Sequence, residues 1–253
     1  MASVPARVGA TSAYEFLRQV EAAFHQYWGG QYEVVATFFG QPRPREELIA
    51  WLELQCYKEI KAVPQMARRL VELYDELDDT VERSRYEAEA YELADEVQHY
   101  RVLADVLELL TGQRRPARDF RPTAEQSKLE ALRREGKTLG ELGEALVGFA
   151  PGGGVAAFGA GMRIAGGPIE RQLAKACQVI YEQELHHYRE SRLIFDGLVR
   201  RSDPAVFEPL LPYARALARE HFLLRNAAFS FPLATERIAE IDAGHVEPFV
   251  PPL

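Results

Sequence analysis

The sequence contains only two cysteines, Cys56 and Cys177, which excludes a disulfide framework and fits a reducing, cytoplasmic compartment. Both fall on apolar faces, where a free thiol packs as a small core residue. There is no basic run, and the net charge is −8 with a pI near 5.4. That balance argues against nucleic acid or an anionic membrane surface as a partner. The opening MASVPARVGATSAYEF holds no continuous apolar stretch of the kind a secretory signal needs. The uncharged stretch from Ala145 to Met162 has the length of a short membrane span, but six of its eighteen residues are glycine and one is proline. A close-packed inner helix is the better reading, and no membrane segment is expected. Strand signals are nearly absent.

What remains is a helical chain. With 253 residues, 47% hydrophobic and 27% charged, it is large enough for one substantial core and is read as a single domain over residues 1–253. Helix punctuation divides it into a first helix from Thr11 to about Phe38, closed by FFGQPRP, and a long segment from about Arg45 through Leu77. A third runs from about Thr80 to Leu110. Thr123 with Gln126, and Thr138 with Glu141, have capping-box spacing and mark two shorter starts. After GGP at Gly166–Pro168 a helix reaches about Arg200, and a last one follows RSDP from about 204 to Ala228. Residues 229–253 read as an irregular tail. Pro64, inside the second segment, implies either a kink or a helix restart.

Two stretches carry the chemistry. LADEVQHYRVLA holds Glu96 and His99, and VIYEQELHHYRES holds Glu184 and His187, both spaced Glu-x-x-His. Residues three apart share a helix face, so each pair can present a carboxylate and an imidazole to one point. The second pair falls on the stripe of Leu173, Ala176, Ile180, Ser191, Ile194 and Leu198, where apolar side chains belong. Glu96 lies near the middle of the Leu93, Tyr100, Leu103, Leu107 and Leu110 face, with His99 towards its edge. Taken singly, a Glu-x-x-His on a charged helix is usually structural. Two copies on buried faces point instead to a cation, because an unpaired buried carboxylate costs several kcal/mol.

Hairpin geometry supplies a further ligand. Residues level across a hairpin are equidistant from its turn, and about the turn at Asp78–Asp79 the counterpart of Glu96 is Glu59. Glu59 lies on the Leu52, Cys56, Val63 stripe, whereas Glu53 is turned aside. The same count back from Glu184 leads to Pro151 and Gly152, where there is no carboxylate. Glu144 lies about two turns away with the opposite direction, and Glu92, Glu89 and His221 are weaker substitutes. For His221, central on its apolar stripe, a hydrogen-bonded core histidine is the favoured reading.

On Glu59 in CYKEIKA, Glu96 and His99 in ADEVQHYRVLADVL, and Glu184 and His187 in YEQELHHYRES, the sequence resembles the ferritin-like di-iron carboxylate superfamily over about Arg45 to Arg200. The resemblance implies an all-α, ferritin-like four-helix bundle with additional N-terminal and C-terminal helices. It also implies a metal set of Glu59, Glu96, His99, Glu184 and His187, two irons or an iron–manganese pair, and reaction with O2. Pro151 and its glycines depart from the pattern, since members usually carry another carboxylate on that helix, so a single metal is also an expectation. Tyr100, beside His99, is expected to pack or to serve as a neighbouring donor.

Three function classes follow: an oxygenase or oxidase of a small organic substrate, a ferroxidase or iron-handling protein, and a non-catalytic or single-metal subunit with an altered site. A heme-oxygenase-like helical oxidase using His221 is a fourth. The expansion beyond a minimal bundle favours the first, because extra helices can close a pocket. Partners are then a small molecule, O2 and an electron-transfer protein if one is needed. An acidic helical surface commonly pairs with itself, so a homodimer is a candidate state.

Overall fold

The computed structural model describes residues 12–253; the first eleven residues of the opening segment lie outside the described residues. Among the described residues there is no strand, and the chain is an all-helical bundle. Helix α1, Ala13–Phe39, opens on Ser12, whose side chain accepts from the Glu15 N–H. The expected continuous second segment is two helices, α2 (Arg45–Ile60) and α3 (Val63–Tyr74). Pro64 sits in the first turn of α3, where its missing N–H leaves no helical bond unmade. Helix α4, Arg83–Thr111, ends on Gly112 at φ 73°, a left-handed cap that glycine adopts without strain.

Thr123 caps α5 (Ala124–Thr138) through the Gln126 N–H, as the spacing predicts. The second expected capping box does not form. Thr138 Oγ1 donates instead to the Glu135 carbonyl at 2.7 Å, and Gly140 at φ 80° makes the turn into α6, Gly140–Gly148. Helix α7 (Pro151–Gly161) is buried from Gly152 onward, the inner helix expected from its composition, and α8 runs from Pro168 to Arg201. After a short turn comes α9, Phe207–Ala227.

Residues 229–253 are not wholly irregular. They contain α10, Thr235–Asp242, held by contacts that the local sequence does not announce. Arg237 pairs with Glu33 on α1, and Asp242 accepts from Arg219 on α9 and Tyr27 on α1. Beyond α10 the chain lies along α1: the Phe249 N–H donates to the His25 carbonyl, and Phe249 stacks on Tyr32.

The site is positioned by three antiparallel pairings. Across α2 and α4, Arg45 donates to the Leu110 carbonyl at one end while Glu59 meets His99 further along. Across α4 and α8, Gln183 reaches Gln98 and His187 reaches Asp95, rising against falling numbers. Across α7 and α8, Gly161 lies against Cys177 and Gly154 against Glu184.

Behind α7, α1 packs against both α7 and α9. One continuous apolar cluster extends from Phe16 to Ile241 and includes both cysteines. The leading and trailing helices are therefore parts of the core rather than additions to its edge. Trp28 stands 5.5 Å from Phe149 and 5.4 Å from Tyr188, ring centre to ring centre. Each such buried aromatic or aliphatic side chain contributes roughly 1.5–3 kcal/mol. Ile194, expected on the inner stripe of α8, is exposed, whereas Leu173, Ala176, Ile180 and Leu198 are buried.

Candidate metal centre

One side-chain atom from each of Glu59, Glu96, His99 and Glu184 lies within 4.8 Å of the others. α2 supplies Glu59, α4 supplies Glu96 and His99, and α8 supplies Glu184. His99 is fully buried and Glu59 nearly so. His99 Nδ1 stands 3.3 Å from Glu59 Oε2, while its Nε2 is buried without a hydrogen-bond partner. Glu53, by contrast, turns away to pair with Arg115.

The electrostatics of the cluster are those of a place that could hold a cation. Burial pushes the Glu184 carboxyl up to about 7, with Glu59 adding to the rise and His99 opposing it. Burial also raises Glu96 well above the carboxylate range, reinforced by Glu59 and Glu184. Burial lowers the His99 imidazole, but the bond to Glu59 and the negative charges of Glu59, Glu184 and Asp95 together outweigh it, and the net shift is upward. Two ionised carboxylates at this spacing repel by about 3 kcal/mol at an effective dielectric of about 20. A divalent cation would replace that repulsion with attraction, and three carboxylates with one imidazole suit iron or manganese better than a thiol-seeking metal.

His187 stands apart from this group. Its Nε2 lies 3.0 Å from Asp95 Oδ2, and its ring centre is 6.3 Å from that of His99. Burial lowers its pKa, with the Asp95 bond opposing. The Glu-x-x-His spacing puts His187 on the face of α8 turned towards α4, and there Asp95 engages it. Asp95 also accepts from Gln183.

The helix that lacks a carboxylate is accounted for by close approach. A Cβ on Gly154 would lie 2.7 Å from the Glu184 carboxyl group, and one on Gly152 would lie 2.3 Å from the Trp28 ring. Backbone alone fits between α8 and α1 here, so Glu184 occupies space that a side chain from α7 would need. Of the substitutes, Glu144 is exposed and outside the cluster, on a neighbouring cavity that it shares with Glu92 and His187, and Glu92 also borders the site's cavity. His221 also lines that cavity, with Nε2 buried and unpartnered. Tyr100 packs edge-on against Phe120.

The cavity measures about 300 Å³ and is bordered on one side by Glu59, Glu96 and Glu184. Cations share its lining, which the sequence reading did not anticipate: Lys58, Lys61, Arg133 and Arg225 all border it, and Arg225 is near enough to feel the charges of Glu59 and Glu184. Lys61 and Arg133 share Glu130. Arg225 donates to the side-chain oxygens of Gln55 at 3.1 Å and Gln31 at 3.4 Å, and neither it nor Lys58 has a carboxylate partner among the described residues. Burial, helped by these cations, holds the His221 imidazole well below its usual range. Neighbouring charge on α2 was visible at Lys58 and Lys61, but α5 and α9 reach the same cavity only through tertiary packing.

Among the described residues no helix is long and apolar enough to cross a membrane. Comparison with protein-family models, with curated proteins and with solved structures gives no match for this chain.

Proposed function

We propose that this chain is a ferritin-like non-heme metalloprotein that uses iron or manganese, with O2, to oxidise a small organic substrate. The observation that carries the reading is the convergence of Glu59, Glu96, His99 and Glu184 at the wall of a cavity of substrate size. The orphaned His99 Nε2 and the crowded carboxylates fit a metal better than a satisfied polar core, in which buried groups find partners.

The four side chains would hold the ion, anchored on three helices whose mutual register is fixed by antiparallel packing. When bound, such an ion supplies the one-electron chemistry that reaction with O2 requires and amino-acid side chains lack. Asp95 fixes the ring of His187 at the cavity margin. Trp28, Phe149 and Tyr188 pack as an aromatic cluster against Gly152 on α7.

A single-metal site is the second reading, favoured by Gly154 in place of a carboxylate and by the engagement of His187 with Asp95. Oxygen uptake by ferrous-loaded protein tests the catalytic reading. Wild type should consume O2 faster than free ferrous ion does, and Glu184→Ala should not. Equal rates for protein and free ion would overturn it, and loading far above two irons per chain would indicate iron handling instead.

A further inference from the structure

We propose that the cavity beside the acid cluster binds a small organic carboxylate, with its acid group held by Arg225 and Lys58 and its carbon skeleton directed towards Glu96 and Glu184. This deepens the metalloenzyme reading and rests on it for the chemistry, but not for the binding.

Arg225 and Lys58, both half-buried, line the cavity without a carboxylate partner among the described residues, and cations drawn out of water seldom stay unpaired. Arg225 is held in place rather than loose. The oxygens of Gln55 and Gln31, both almost fully buried, accept from it, and its guanidinium lies 5.8 Å from the Phe158 ring centre. A planar fork fixed in this way matches a carboxylate bidentately. Gln31 Nε2 and Gln55 Nε2 are buried without partners, as is His221 Nε2; Gln31 and His221 line the cavity.

One objection is that the cations merely balance the acid cluster. Charge counting answers it. A divalent ion leaves the three carboxylates with one residual negative charge. Burial lowers the Lys58 ammonium well below its usual range, which leaves it out of the count. Arg225 and the Lys61–Arg133–Glu130 trio still bring two positive charges against that one negative charge, which leaves the metal-loaded interior short of an anion, with Glu92 only at the edge.

The remaining wall is apolar, from Leu129, Val147, Phe158 and Leu224. An acid with a short hydrocarbon part suits both surfaces, and about 300 Å³ lies at the small end for such sites. Because metal and anion each offset the other's charge, each should tighten the other's binding.

The test is calorimetric titration of hexanoate, 1-hexanol and inorganic phosphate into the full chain, manganese-loaded and metal-free. Hexanoate should bind once per chain and more tightly when manganese is present, and hexanol should not bind. Arg225→Gln should weaken hexanoate by about tenfold or more. If that variant fails to fold, Lys58→Gln decides with the same expected drop. Equal binding of hexanol, unchanged affinity in the variants, or tighter binding of phosphate than of hexanoate would each overturn the proposal. Hexanoate bound by a chain that takes up no metal would sink the metalloenzyme reading alone, and metal uptake without hexanoate binding would sink this one alone.

Discussion

The missing side chain of Gly154 and the carboxyl of Glu184 compete for the same space, since a Cβ there would come within 2.7 Å of that carboxyl. Gly154→Ala should therefore displace a group proposed to hold metal while gaining up to about 1 kcal/mol of helix propensity. The expected result is a roughly 10–100-fold loss of manganese affinity by titration, the range seen when a ligand's support is removed, with no fall in thermal midpoint. Histidines provide a second residue-scale contrast. His99→Ala should abolish stoichiometric metal, whereas His187→Ala should retain it with less than about tenfold loss, because His187 is engaged by Asp95 outside the cluster. Equal losses in the two variants would place His187 among the ligands after all. Glu59, Glu96, His99 and Glu184 were legible because charge interrupts an otherwise apolar stripe and because hairpin turns fix register. The partnership of His187 with Asp95 was not, since it depends on how α4 meets α8, two helices with no shared turn.

At the scale of elements, α7 acts as a thin spacer. Gly152 lets the Trp28 ring approach to where a Cβ would be 2.3 Å away, so Gly152→Ala overpacks the α1–α7 contact by about 1–3 kcal/mol. For a chain of this size that corresponds to a fall of roughly 2–12 °C in the thermal midpoint, about 2–4 °C per kcal/mol. An unchanged midpoint would mean that Trp28 can shift at no cost. Docking of α10 carries its own pH signature. The Arg219 hydrogen bond depresses the Asp242 carboxyl, with burial opposing and Tyr27 assisting. A depressed carboxylate contributes stability above its unfolded value, and this contribution is lost as pH falls through the folded value. Asp242→Asn should therefore lower the unfolding free energy read from urea titration equally at about pH 7 and pH 5, by no more than about 1 kcal/mol for so exposed a pair, and the difference should shrink below about pH 4. The α2–α3 break shows what the sequence left open: Pro64 allowed a kink or a restart, and the backbone restarts. Helix α10 was missed because eight residues make barely two turns, too few for a helical period to stand out, and pairings with Glu33, Tyr27 and Arg219 stabilise it from far along the chain.

Across the whole molecule, helix class, the inner position of the glycine-rich segment and the burial of both cysteines all follow from composition and period. The full depth of α1 and α9 in the core does not, because α1·α7 and α1·α9 packing joins elements far apart in sequence. The same long-range folding brings Arg133 and Arg225 to the cavity facing the acid cluster. Since the cluster exists only in the folded chain, a metal that binds it must stabilise the fold. At a free concentration about 100 times the dissociation constant the gain is about 2.7 kcal/mol, or roughly 5–11 °C in the midpoint. The measurement that bears most directly on the central claim is metal per chain, by elemental analysis of protein grown in iron-rich medium, for wild type beside a folded Glu96→Ala. The account predicts stoichiometric iron or manganese in the wild type and its loss in the variant. A metal-free wild type, or a variant that keeps the same metal, would contradict it.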